Sequence, residues 1–132
     1  MMVAAYLRDV QITLAAYPWV KSVKVLRCDV EETDLQEILV YRFRVTLQDD
    51  GLLEMMERVV YSKTGRTLQV TTYNYHWQDK YNRLITRWDN APHFHVLDHV
   101  HLGKDNAIIP GRPMTALEML SMIAQEKELS ER

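Results

Sequence analysis

Residues 41–48 alternate without a break. Tyr41, Phe43, Val45 and Leu47 take one side of an extended chain, and Arg42, Arg44, Thr46 and Gln48 take the other. Strand side chains point to opposite faces in turn, so this pattern is a strand with one buried and one wet face. Such a strand needs neighbours, and the flanking sequence supplies them. "VKSVKVLRCDV" precedes it; "LLEMMERVVYS", "TLQVTTYNYHWQ" and "RLITRWD" follow. The spacers "EETD", "DDG", "KTGR" and "DKYN" are short and polar, and short connections make antiparallel neighbours. In "DDG", Gly51 is able to take positive φ; a two-residue loop would pair Leu47 with Glu54, and a three-residue loop, which buries more apolar surface and is favoured, pairs Leu47 with Leu53.

Helices are expected at both ends. Val3, Leu7, Val10 and Leu14 recur at helical spacing until Pro18, which predicts an amphipathic helix over residues 2–16. "TALEMLSMIAQEKE" predicts a second helix, with Thr115 and Glu118 as a capping box and Leu117, Leu120 and Ile123 on one face. The tail "KELSER" reads as frayed. Residues 91–113, with Pro92, Gly103, Pro110, Gly111 and Pro113, read as irregular. The order implies an α+β class: one domain over residues 1–132, an antiparallel meander of about five strands flanked by an N-terminal and a C-terminal helix.

Composition narrows the class only a little. At 132 residues a real core is feasible, and a net charge of -2 gives no global attraction to nucleic acid. The single cysteine, Cys28, cannot form an intrachain disulfide and reads as a small buried hydrophobe in a reducing compartment. The N-terminal stretch carries Arg8, Asp9 and Gln11, so it is neither a signal peptide nor a membrane span. A soluble cytoplasmic protein is expected.

The pairing of the last two predicted strands decides where the polar side chains go. With "DKYN" as a four-residue loop, Gln78 faces Arg83, His76 faces Ile85 and Asn74 faces Arg87. Asn74, His76, Arg87 and Asp89 then share one face, and Tyr73, Tyr75, Trp77, Leu84 and Trp88 share the other. The aromatic set is a core for the helices rather than a base-stacking platform.

The polar face leads into "RWDNAPHFHVLDHVH", which holds His93, His95, His99 and His101 within nine positions, beside Asp98. Three readings compete. Two His-x-His pairs can supply a zinc site, but no recognised ligand spacing is present, so a tightly bound metal is not expected. Histidines titrate near neutrality, so a pair can act as acid and base, as RNA cleavage requires, with an arginine on the phosphoryl charge. His76, His93, His99 and His101 are the acid–base candidates, Arg87 the phosphate clamp and Asp89 the orienting carboxylate. In the third reading the segment is a structural corner, with Arg87 and Asp89 a plain ion pair.

"YNYHWQD", "RLITRWDNAPH", "DHVHLG" and a closing proline before a helix resemble the TumE-type toxins of bacterial and archaeal toxin–antitoxin operons. The hairpin "VYRFRVTLQDDGLLEMMERVV" resembles that family's strand–"DG"–strand segment. The likeness covers roughly residues 20–123, and "RWDNAPH" is its most specific part. The pattern falls on Trp77, Asp79, Arg87 to His93, His99, His101 and Gly103. Phe94 separates His93 from His95 where the family often has adjacent histidines.

The resemblance implies a small cytoplasmic toxin neutralised by a separately encoded helix-turn-helix antitoxin. By analogy with other toxins of this size it implies a metal-independent ribonuclease. Arg42, Arg44 and Lys104 are the candidate RNA contacts, within a local patch that Arg58, Arg66 and Arg83 would extend. A second copy of the chain is a further candidate partner. The alternative is a non-catalytic interaction protein that uses the histidine-rich face, with structural zinc.

Overall fold

Helix α1 (Met2–Ala16) leads into seven strands: β1 (Val20–Glu32), β2 (Gln36–Leu47), β3 (Leu52–Ser62), β4 (Thr67–Gln78), β5 (Leu84–Asp89), β6 (His99–Leu102) and β7 (Ile108–Pro110). Helix α2 (Ala116–Ser130) closes the chain. This computed structural model describes residues 1–91 and 98–130. The strands form one antiparallel sheet in sequence order, a meander from β1 to β7. No helix among the described residues is long and apolar enough to cross a membrane.

The α+β class and the flanking helices agree with expectation, but the sheet has seven strands rather than five. The two extra strands lie within the stretch read as irregular. They are short, and their histidine, glycine and proline content hid the alternation of His99, Val100, His101 and Leu102.

The core lies where the alternation put it. Tyr41, Phe43, Val45 and Leu47 are buried, together with Tyr73, Tyr75, Trp77 and Trp88. They meet Val3, Val10 and Leu14 of α1, and Ala116, Met119, Leu120 and Ile123 of α2. Burial of both tryptophans removes the stacking-platform reading. Leu117, expected on the buried stripe, is 37% exposed, and Ala116 and Met119 take its place. The capping box forms as expected: Glu118 N donates to Thr115 Oγ1 (3.3 Å) and Thr115 N to Glu118 Oε1 (3.2 Å). The helix then runs on to Ser130 through most of the tail read as frayed. Cys28 is exposed rather than buried, because it sits on the edge strand.

Two glutamates occupy core positions of the alternation. Glu37 Oε1 accepts from the backbone N of Val3 (3.1 Å) in the first turn of α1. Glu57, fully buried, accepts from the hydroxyls of Tyr6 (2.8 Å), Tyr41 and Tyr75 (2.6 Å) and from Ala116 N (3.0 Å), the first residue of α2. The first N–H groups of a helix have no partner within it, and the helix dipole favours negative charge there. Each carboxylate therefore docks one helix onto the sheet. Burial pushes the Glu57 carboxyl above its ordinary value, against the pull of those four donors. It also pushes the three tyrosines well up, since each faces Glu57.

Two hairpins depart from the expected register. Val45 pairs with Leu53 and Thr46 with Leu52, and Leu47 N donates to Gly51 O (3.0 Å). Leu47 therefore does not oppose Leu53. Asp49 Oδ1 draws the turn tight by accepting from Gly51 N (2.8 Å). Positive φ falls on Asp50 (67°) and on no glycine. Gly51 is instead a close-approach position, where a Cβ would stand 2.9 Å from Gln78 O.

Between β4 and β5, His76 pairs with Arg87 and Asn74 with Asp89, two residues from the expected register, and Gln78 pairs with Leu84. The turn is set by Asp79 Oδ1, which accepts from the N of Tyr81 (2.9 Å) and of Arg83 (3.0 Å). An irregularity between Trp77 and Gln78 then skips Ile85. A two-residue offset keeps every face, so Asn74, His76, Arg87 and Asp89 still lie together. Leu84 changes sides: it joins Gln78, and Ile85 packs on the core instead.

Trp88→Ala and Glu57→Ala are each expected to lower stability by about 3–5 kcal/mol, the first by opening a cavity, the second by orphaning buried donors. Denaturant unfolding followed by tryptophan fluorescence and circular dichroism checks both. A change below 1 kcal/mol at Glu57 would mean that the tyrosines find other partners.

Candidate functional site

The face opposite the helices is built in cross-strand rows. One row runs Lys24, Arg44, Glu54, His76, Arg87 and His101 across β1 to β6. The next runs Arg27, Arg42, Met56, Asn74, Asp89 and His99. Residues opposed on neighbouring strands share a face, so Arg87 is flanked by His76 on one side and His101 on the other. A cleft of about 350 Å³ opens here, lined by Arg42, Glu54, Asn74, His76, Gln78 and Arg87 among others.

Asp89 is the hub beneath this surface. It is 1% exposed, and a buried carboxylate must be paired. Its Oδ2 lies 3.3 Å from Arg87 Nε and 3.1 Å from His101 Nε2, and its Oδ1 lies 3.7 Å from His99 Nδ1. The Arg87 and Oδ2 atoms are within ion-pair reach without the alignment of a directed hydrogen bond. Arg87 Nη2 lies 3.3 and 3.2 Å from the two ring nitrogens of His101, so the guanidinium packs against the imidazole. Burial pushes the His101 imidazole below its ordinary value; Arg87 adds to the effect and Asp89 opposes it.

The motif "RWDNA" now reads residue by residue. Arg87 and Asp89 face the polar side, and Trp88 anchors the strand in the core. Asn90 continues the sheet with its side chain: Oδ1 accepts from Tyr73 N (3.0 Å) and Nδ2 donates to Thr71 O (3.0 Å). Ala91 N donates to Asp89 Oδ1 (3.2 Å), which fixes that carboxylate. Tyr73 Oη donates to Asp98 Oδ1 (2.6 Å) just before β6 begins. Gly103 lets the β6–β7 turn touch β5, because a Cβ there would lie 1.6 Å from Leu84 O. Gly103 N donates to Ile85 O (2.9 Å) across that contact.

The candidate residues divide. His76, Arg87, Asp89 and His101 come together, with His76 Nε2 3.0 Å from Gln78 Oε1. His99 belongs to the same cluster but is 3% exposed and does not line the cleft. His93 and His95 lie outside the described residues. Arg42 and Arg44 face the cleft side, and both pair with Glu54, at 3.0 and 2.7 Å. Burial works against ionisation of Glu54, but Arg44 and Arg42 hold it below its ordinary value. Lys104 is exposed in the one-turn 3₁₀ segment Lys104–Asn106 and does not line the cleft. Sequence reasoning missed Glu54, because the expected hairpin register set it opposite Thr46, whereas the observed one sets it opposite Arg44.

Among the described residues no group of three or more His, Cys, Asp or Glu side chains could hold a metal ion. Arg87, a fixed cation, already stands against Asp89 and His101. A family model for "Toxin TumE" matches residues 13–127 of the chain. No curated protein and no solved structure matches it.

His101 is expected to titrate below its ordinary value of about 6.5, with the midpoint raised by Arg87→Ala and lowered by Asp89→Asn. Imidazole NMR shifts against pH check this. The folded value lies below the unfolded one, so the stabilising contribution is full above the unfolded pKa. It is lost as pH falls through that value towards the folded one. A wild-type midpoint above the ordinary value would contradict the geometry.

Proposed function

The chain belongs to the TumE toxin family, and on that premise we propose that it is the toxin of a two-component module acting as a metal-independent ribonuclease. A toxin family implies an antitoxin partner. A separately encoded helix-turn-helix protein is the partner proposed, and the cytoplasm the place of action. The observation that carries the catalytic reading is the row His76–Arg87–His101 set on buried Asp89, in which His76 and Arg87 line the cleft and His101 packs against Arg87 at its margin, outside that lining.

The chemistry follows from the row. A phosphodiester laid over Arg87 would have an imidazole on each side. Asp89 next to His101 Nε2 favours the proton on that nitrogen and leaves Nδ1 basic. His101, favoured in its neutral form, takes the proton of the 2′-hydroxyl. The 2′-oxygen attacks phosphorus, and the bond to the 5′-oxygen breaks. His76 protonates that leaving oxygen, giving a cyclic phosphate and a 5′-hydroxyl. Arg87 stabilises the added negative charge in the transition state. Arg42 and Arg44 bring a surplus of positive charge over Glu54 along the path of the strand. His99 acts through Asp89 rather than on substrate.

The test is cleavage of RNA by purified chain, with and without chelator, beside growth on expression with and without the antitoxin. His76→Ala and His101→Ala are each expected to slow cleavage by about 10²–10⁴-fold. Arg87→Ala also leaves buried Asp89 short of a partner, so its loss of activity is ambiguous alone. Arg87→Lys keeps a cation beside Asp89 and removes the guanidinium fork. It is expected to melt near the wild type and to lose most cleavage. Full toxicity in a stable His76→Ala, Arg87→Lys, His101→Ala variant would refute catalysis here and favour the non-catalytic interaction protein. Chelator-sensitive activity would favour zinc.

A further inference from the structure

The two edges of the sheet are unlike. β7 has three residues and ends at Pro110, so it offers little to pair with. β1 has thirteen residues, and every one from Lys21 to Glu32 is exposed. Its outer backbone groups form a long unpaired edge.

Two features of β1 fit one occupant. The first is an apolar stripe. Val23, Val25, Cys28 and Val30 pair with Val45, Phe43, Tyr41 and Leu39, all core residues, so they continue the core face past the reach of the helices. The stripe changes from odd to even numbers because the register shifts at Leu26. Val23, Val25 and Val30 are 40%, 52% and 45% exposed. The second feature is charge. Lys21 and Lys24 occupy the first half of the strand, and Asp29, Glu31 and Glu32 the second, where Arg27 stands beside Asp29 at 2.5 Å and leaves the half net acidic. Lysines and a bulge usually blunt an edge strand against pairing. Here the cations are matched by acids, so the strand is complementary to its own reverse.

We propose that β1 pairs antiparallel with β1 of a second copy of this chain, about a two-fold axis between Leu26 and Arg27. In that register Val23 opposes Val30 and Val25 opposes Cys28, apolar against apolar on the helix side. Lys24 opposes Asp29 and Ser22 opposes Glu31 on the other side. The bulge makes this possible: it swaps the faces at mid-strand, so an odd residue can meet an even one on the same side. A slip of one residue either way sets Val23 against Asp29 or Glu31. Each contact occurs twice, as a two-fold interface requires. The two sheets become one, and the long edge of each is covered.

Sedimentation velocity of the full chain across micromolar concentrations tests the state, and two charge reversals test the surface. A dimer is expected. Lys24→Glu and Asp29→Lys are each expected to raise its Kd by about tenfold or more, because each turns two facing pairs repulsive. The double variant Lys24→Glu, Asp29→Lys restores opposite charges and is expected to recover the dimer. Val25→Cys, beside the native Cys28, is expected to give a disulfide-linked dimer on mild oxidation, since directly opposed strand residues lie within disulfide reach. A monomer at every concentration with no cross-link overturns the proposal. So does a dimer indifferent to both reversals, which would use another surface. A monomeric chain that loses antitoxin binding on the same reversals would also overturn it and assign the edge to a strand of the antitoxin. None of these outcomes depends on whether the cleft cleaves RNA.

Discussion

Four donors from four elements meet on the Glu57 carboxylate: Tyr6 of α1, Tyr41 of β2, Tyr75 of β4 and the first amide of α2. A carboxylate in a core is unfavourable unless its lone pairs are filled, and its donors are unfavourable unless it is there. The arrangement is therefore satisfied only when both helices and three strands are in place together. Glu37 does the same on a smaller scale at the start of α1. Apolar burial of Val3, Met119 or Trp88 would tolerate a helix rotated or slid by a residue. A carboxylate on a helix N-terminus would not, because the first-turn N–H groups point one way. The core supplies most of the driving force, and the two glutamates supply the register of the helices on the sheet.

Asp89 plays a corresponding part on the other face. It too is buried, and its partners come from two strands: Arg87 on its own, His99 and His101 on β6. The difference is what the partners do next. The tyrosines around Glu57 end in the core, whereas Arg87 and His76 line an open cleft. Glu57 and Asp89, both buried in one sheet, thus have opposite uses, one closed among structural donors and one holding polar groups at a surface.

Much of this was legible in the chain. The alternation of Tyr41 to Gln48 gives the sheet and its core face, the first helix has the bounds its periodicity implies, and Thr115 and Glu118 form their capping box. The gathering of His76, Arg87 and Asp89 followed from face parity, and it survived a two-residue error in register because parity repeats every two residues. What failed was local geometry. The Asp49 and Asp79 side chains set turns that no loop-length rule anticipates. A skipped residue moved Leu84 to the wet side. Glu57 stands in phase with Leu53, Met55 and Val59 and so was marked as a core position. A charged residue in a strand is ordinarily assigned to the wet face, which hides that phase.

The position of His101 depends on the least regular part of the molecule. Strand β6 has four residues and its outer neighbour β7 only three, so strand pairing alone would hold it weakly. Two contacts compensate. Tyr73 fixes Asp98 at the entry, the Gly103 amide bonds Ile85 at the exit, and the missing side chain of Gly103 allows that backbone approach. His76 needs no such help, because β4 pairs along its length with the eleven-residue β3, and Arg87 is held by the pairing of β5 with β4. Neighbouring strands lie about 4.8 Å apart, so His76 and His101, two strands apart with Arg87 between, have backbones separated by about twice that. A spacing set by hydrogen-bonded strands varies little, which is what the acid–base pair proposed above would require. The motif residues outside the His76–Arg87 cleft, Asn90, Asp98 and Gly103, serve that spacing by holding the ends of β5 and β6 where the middle of each strand already belongs.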